Sequence, residues 1–146
     1  MKEALEFMKS QESMAIASYS KDLWIANIFY IVDDDFKVYF ISPKDAKHSK
    51  DYIENPEVSF SVIWYNKNDH EDRKGIQGKG ICRPAKNDKE LMRGVDLHNK
   101  QFPVFKERIN YDYIRNNSCV WIIEPSLIKY WDDELYSDKT KEFHFK

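Results

Sequence analysis

The residues with the clearest capacity for chemistry lie in the stretch VYFISPKDAKHSKDYIENP, from Val38 to Pro56. Ser42 follows a short apolar run, Val38-Tyr39-Phe40-Ile41. A polar turn, Ser42-Pro43-Lys44-Asp45, then leads into a basic, helix-compatible segment carrying Lys44, Lys47, His48 and Lys50. A hydroxyl at a strand end, cations a few residues on and a new helix N-terminus are the parts of an anion site. Free N–H groups and the positive end of the helix dipole favour a phosphate there. Lysine adds a point charge, and serine a donor that also accepts. The same residues also read as a solvated helix face behind a serine turn, and residue types alone weigh toward that plainer reading.

Other chemistries lack their parts. Asp33-Asp34-Asp35 has no alternating ligands and no glycine-bearing loop, so it reads as a solvated turn rather than a calcium site. His70, Glu71 and Asp72 fall in the charged stretch Asn66 to Lys74, read as an exposed loop. No G-x-S-x-G elbow and no zinc spacing of Cys and His occurs. His98 reads as a packing or helix-surface residue. Gly75, Gly78 and Gly80 form G-x-x-G-x-G, which is neither a dinucleotide fingerprint nor a Walker loop. Gly78 and Gly80 point the same way along a strand, so a strand, a bulge or a flat ligand approaches closely there. Without a protein-borne nucleophile or an acid–base pair, an enzyme built on this chain needs a cofactor to carry its chemistry.

The elements that must position these residues are mostly strands. A short amphipathic helix spans Lys2 to Ser10, and a small-residue strand Ser13 to Tyr19. Leu23 to Val32 is the strongest strand. Trp24, Ala26, Ile28 and Tyr30 lie on one side, and Leu23, Ile25, Phe29 and Ile31 on the other, with Asn27 its one polar residue. A strand apolar on both faces must be covered on both. It forms a hairpin with the Val38 strand. Val58 to Tyr65 alternates as a half-buried strand, and Gly75 to Arg83 follows it. A helix capped by Asn87 or Asp88 runs to about Lys100, ended by Phe102-Pro103. Val104 to Asn117 is a mixed connector. Cys119 to Glu124 is a strand broken by Pro125, with Ile128 to Trp131 as a short edge strand and a polar, aromatic tail after Asp132.

The 146 residues fit one domain, 1–146. The aromatic share of 15% leans toward β structure. A formal net charge of -2 argues against a nucleic-acid binder driven by bulk charge. Cys82 and Cys119, without a C-x-x-C or a secretory signal, predict free thiols in a reducing compartment. No apolar run approaches a membrane span, and the expectation is a soluble, cytoplasmic protein. The strands lack the strand–helix alternation of a parallel sheet. The expected fold is mainly β: a six-stranded antiparallel split β-barrel of Greek-key type with a few flanking helices.

Several motifs carry a family resemblance: Y-F-I-S before the basic helix, I-E-N-P-x-V-S after it, G-I-Q-x-x-G, K-x-F-P, and E-P-S-x-I near the end. From about Leu5 to Asp132 the chain resembles the FMN-binding split-barrel family of pyridoxamine-phosphate oxidase-like proteins, and within it a small bacterial branch. The resemblance implies FMN as cofactor, with Ser42, Lys47 and His48 at its phosphate. His48 departs from the usual Lys or Arg and makes that contact pH-sensitive. It also implies that Ala26, Asn27, Ile28 and Phe29 lie along the isoalloxazine ring, and that Gln77 corresponds to a family glutamine. A homodimer with flavin at its interface follows, together with a redox reaction on a small molecule. The oxidase's C-terminal Arg-x-His is missing, because Glu142 stands two residues before His144. The reaction is therefore not expected to be pyridoxamine-phosphate oxidation. A flavin- or haem-binding storage or sensing module, or a deazaflavin protein, is the alternative on the same fold.

Overall fold

The computed structural model describes residues 1–136 and 139–146. Helix α1 (Lys2–Ser10) buries Ala4, Phe7 and Met8, three- and four-residue steps along one helix face. Strand β1 (Ser13–Tyr19) alternates, with Met14, Ile16 and Ser18 turned inward. The run Leu23 to Val32 is two strands, β2 (Leu23–Phe29) and β3 (Ile31–Val32), divided at Tyr30. Tyr30 is the residue at which the run changes partner, from β1 to β4. Its N–H donates to the Glu12 carbonyl at 3.0 Å, and its hydroxyl to the Met8 carbonyl at 2.6 Å.

That division makes the barrel. β2 pairs antiparallel with β1, while β3 pairs with β4 (Val38–Pro43). With β5 (Glu57–Asn66), β6 (Asp69–Pro84) and β7 (Ser118–Asp132), the order is β2-β1-β5-β6-β7-β4-β3. Because β2 and β3 are halves of one run, the two ends of that order meet. The result is the expected antiparallel split barrel, parted between β2 and β4, with seven strands along this path where six were expected. A further strand, β8 (Thr140–His144), pairs with β7 beyond β4. The core holds Ile16, Ile28, Phe40, Phe60, Trp121 and Ile123, and a smaller cluster around Tyr39, Val95, Ile114 and Ile122 packs outside β4 and β7.

Four expectations change. The charged stretch Asn66 to Lys74 is a tight hairpin, not a loop, because Trp64 pairs with Lys74 and Tyr65 with Arg73 up to its tip. β4 runs on through Ser42 and Pro43, which pair with Cys119 and Ser118, so Ser42 sits in the strand rather than in a turn. The connector Val104 to Asn117 holds a 3-10 turn (Pro103–Phe105) and an α-helix (Tyr111–Asn117) capped by Asn110. β7 is one continuous, centrally placed strand. Pro125 pairs with Gly80 beside a bulge, where the register shifts between Lys79 and Gly80. A Cβ on Gly80 would collide with the Glu124 carbonyl, and one on Gly78 with the Phe60 ring. The close approach inferred at these glycines is therefore a bulged backbone and a core side chain.

Candidate functional site

The helix α2 (Lys47–Glu54) packs on β1, β2 and β6 at the open end of the barrel. Its first residues carry no acidic side chain, with Lys47 exposed, His48 half-buried and Ser49 buried, and its cap residue Ala46 offers no side-chain hydrogen bond. The first backbone bond into the helix is Lys50 N–H to the Ala46 carbonyl at 3.1 Å. The N–H groups of Lys47, His48 and Ser49 therefore stand ahead of the intrahelical ladder, where an anion is favoured.

Ser42 lies directly beneath. Its hydroxyl is 2.9 Å from Nε2 of His48, and the residue is only 5% exposed. The imidazole, not the hydroxyl, is thus what the strand–helix corner presents to the outside. Burial lowers the His48 pKa below the ordinary histidine value, with Asp51 opposing, which favours the neutral ring. Lys47 is held by two carboxylates, Asp22 and Asp51, each at 3.0 Å, with its ammonium 4.9 Å from the centroid of the Trp24 ring. The two carboxylates raise its pKa. Lys44 turns away and donates to the Arg115 carbonyl at 3.2 Å.

The partners of Lys47 escaped sequence reasoning. Asp51 was accessible through its four-residue helical spacing from Lys47; Asp22, across a strand turn, was not. Cys119 was missed as well. Register sets it opposite Ser42, half-buried, its thiol pushed up by burial and drawn down by Lys44.

The residues expected along a flavin ring divide. Ile28 is buried in the barrel and Ala26 half-buried on the same inward side, so only their backbone is available to a ligand outside. Asn27 and Phe29 project outward and are exposed. Asn27 therefore has no buried amide to satisfy within the protomer. Gln77 is exposed on the same outer face, and register places Asn27, Ala15, Ser61, Gln77 and Lys129 in one row across five strands. Three strand spacings separate Asn27 from Gln77, about 14 Å.

That face is flat and apolar. Leu23 (79% exposed), Ile25 (65%), Phe29 (61%) and Ile63 (75%) stand out from it around the small residues Ala15, Ala17, Ser59 and Ser61. A shallow cavity of about 390 Å³ opens over Ala17, Ser59, Ser61 and Gln77. Exposed apolar area of this continuity marks an interaction surface. No helix among the described residues is long and apolar enough to cross a membrane. Nor, among those residues, do three His, Cys, Asp or Glu side chains converge on a metal position.

Known proteins place this geometry in context. No family model matches the chain. A heme-binding protein from Mycobacterium smegmatis superposes with a TM-score of 0.77 at 14% identity, covering 97% of this chain and 56% of that one. This chain thus spans little more than half of that protein's length. An FAD-binding protein from Mycobacterium smegmatis superposes with a TM-score of 0.62 at 15% identity, covering 98% and 96%. These likenesses establish the split-barrel fold. In sequence, a UPF0306 protein of Klebsiella pneumoniae (strain 342) is 31% identical over 119 residues, 81% of this chain and 74% of that protein. With that identity over that length, the chain belongs to the UPF0306 family.

Proposed function

We propose that this chain is a flavin-binding protein that takes FMN at the α2 corner and acts as a flavin-dependent oxidoreductase on a small molecule. The observation that carries the reading is the Ser42–His48 contact at 2.9 Å beneath the free N–H groups of the α2 N-terminus. With Ser42 donating to Nε2, the neutral ring carries its proton on Nδ1 and offers it outward to a phosphate. Lys47 reaches the same place by releasing Asp22. That carboxylate is 62% exposed, and pairs of this kind are worth about 0–1 kcal/mol. The donor set suits a phosphate monoester. The heme-binding and FAD-binding proteins of this fold lend support to a flat, conjugated ligand.

The ring of such a ligand would lie along the outer edge of β2, near Asn27 and Phe29. Gln77 of the same protomer is about 14 Å from Asn27 and does not share that ring. A second copy packed on the apolar outer face brings its own Gln77 within reach, so the reading includes a homodimer with the ligand between copies. The flavin would supply electron transfer, and the chain binding, orientation and a water-poor surface. Visible spectroscopy of the purified protein, with titration of FMN, FAD and hemin, tests this. FMN should bind with one site per chain and more tightly than riboflavin, which lacks the phosphate. Preference for hemin, or equal affinity for riboflavin and FMN, would overturn it.

A further inference from the structure

At the end of the barrel opposite α2, helix α1, the far ends of β5, β6 and β7 and a short helix (Asp133–Tyr136) line a cavity of about 430 Å³. Trp64 there and Glu57 near α2 are seven residues apart on β5, about 23 Å. The cavity's walls are aromatic. Phe7 stacks on Tyr130 with centroids 5.8 Å apart and planes at 28°, and Trp64 contributes its indole.

Its charge is acidic. Glu3, Glu6 and Asp132 line it against a single cation, Lys74, so the acids exceed the base by two. Lys74 also shows what this lining accepts. Its ammonium is 5.3 Å from the centroid of the Trp64 ring and 3.9 Å from both Asp72 and Asp132, ion-pair distances longer than a hydrogen bond. The Asp72 Oδ1 atom is buried without a hydrogen-bond partner. Asp72 is not part of the cavity wall, and Asp132 accepts from the Tyr130 hydroxyl at 2.8 Å and from the Glu134 and Leu135 N–H groups at 3.1 Å, so the weakly met charge of the cavity is that of its glutamates. Nearer the rim, Glu3 and Glu6 are exposed, with no closer ion-pair partners than the amino terminus and Lys2, each at 3.9 Å. Such pairs hold a carboxylate weakly.

We propose that this cavity is a second ligand site, taking a small organic cation of the alkylammonium class. Its charge would lie over an aromatic face and between Glu3 and Glu6, and its carbon body against Phe7 and Tyr130. Cations are drawn to aromatic faces by the ring quadrupole, and more strongly where water is reduced. An anion is disfavoured by the surplus of carboxylates, and a bare metal ion would find ring carbons where it needs donor atoms. The site is independent of the flavin reading and lies at the other end of the molecule.

The test is isothermal titration of the full chain with choline and with its neutral carbon isostere, 3,3-dimethylbutan-1-ol. Choline should bind saturably at one site per chain, about tenfold more tightly than the isostere. The doubly substituted Glu3→Gln, Glu6→Gln chain should bind it about fivefold more weakly, with an unchanged melting temperature, since both side chains are exposed. Trp64→Leu should weaken it further. Absence of saturable heat, equal affinity for the neutral isostere, or unaltered binding by the double variant would each overturn the proposal.

Discussion

The Ser42 hydroxyl and the His48 imidazole stand 2.9 Å apart, joining the end of β4 to the first turn of α2. This contact couples the candidate anion site to the barrel wall. Its neighbours decide how it behaves: Tyr52, whose ring lies 5.8 Å from that of His48, and Asp51, which shares Lys47.

Substitution at this corner should separate charge from shape. Lys47→Ala removes the cation that opens the helix, and FMN affinity should fall about tenfold, as expected for a charge-assisted phosphate contact. His48→Lys supplies a permanent cation in place of a neutral ring and should tighten binding at pH 8. Fluorescence titration measures both, and unchanged affinity in Lys47→Ala would move the phosphate elsewhere.

Acid should destabilise the free protein through its histidines. His48 and His98 both have pKa values lowered by burial, so the folded chain binds fewer protons than the unfolded chain once pH falls below about 6.5. The stability of the neutral rings is fully present above that value and is lost as pH falls through the folded pKa. Urea unfolding at pH 7.5 and 5.5 should show the loss, and His98→Gln should reduce it. Bound phosphate reverses the sign locally, since it favours protonated His48, so FMN affinity should rise between pH 8 and 6.

Tyr52 carries a buried hydroxyl with no hydrogen-bond partner, packed edge-on against Trp121 at 5.5 Å between centroids. Tyr52→Phe keeps the ring and removes the orphan. The expected gain is about 1 kcal/mol in chemical denaturation. A loss of similar size would reveal a water bound to that hydroxyl.

Gly78 faces the Phe60 ring across the β5–β6 ladder, so Gly78→Ala forces a core aromatic to move. Overpacking of this kind costs about 1–3 kcal/mol. The double change Gly78→Ala, Phe60→Leu should recover part of it, which differential scanning calorimetry can resolve.

The apolar outer face predicts self-association. Ile25→Lys places a charge at the centre of the exposed row on β2 and should leave the barrel core untouched. Sedimentation equilibrium should show a dimer for the parent chain and a shift toward monomer for the variant. A parent chain that is monomeric at about 50 μM would remove the proposed interface, since stable interfaces dissociate well below this concentration.

Much of the architecture was legible in the chain because it is written in local terms. Small residues marked Ser13–Tyr19 as a strand, alternation fixed Val58–Tyr65 and its inward face, the helical spacing of Leu5 and Met8 beside Ala4 marked α1, and Asn87, one of two cap candidates, accepts from the Glu90 N–H at 2.9 Å. The basic segment after Ser42 was also visible, since an anion site at a helix start needs only neighbouring residues.

What the tertiary structure decided is which partners those residues keep. Nothing local says that the run changes partner at Tyr30, whose hydroxyl is held by the Met8 carbonyl, yet that change divides it into β2 and β3 and closes the barrel. Nothing local says that Asp22 occupies Lys47, that His48 covers Ser42, or that Gln77 and Asn27 share a row three strand spacings apart. Apart from the six-residue step between Ser42 and His48, these relations join residues far apart in sequence. They are set by strand register and by the packing of α2 on the barrel end, and pairing across a sheet is specified by the whole buried face rather than by either residue alone.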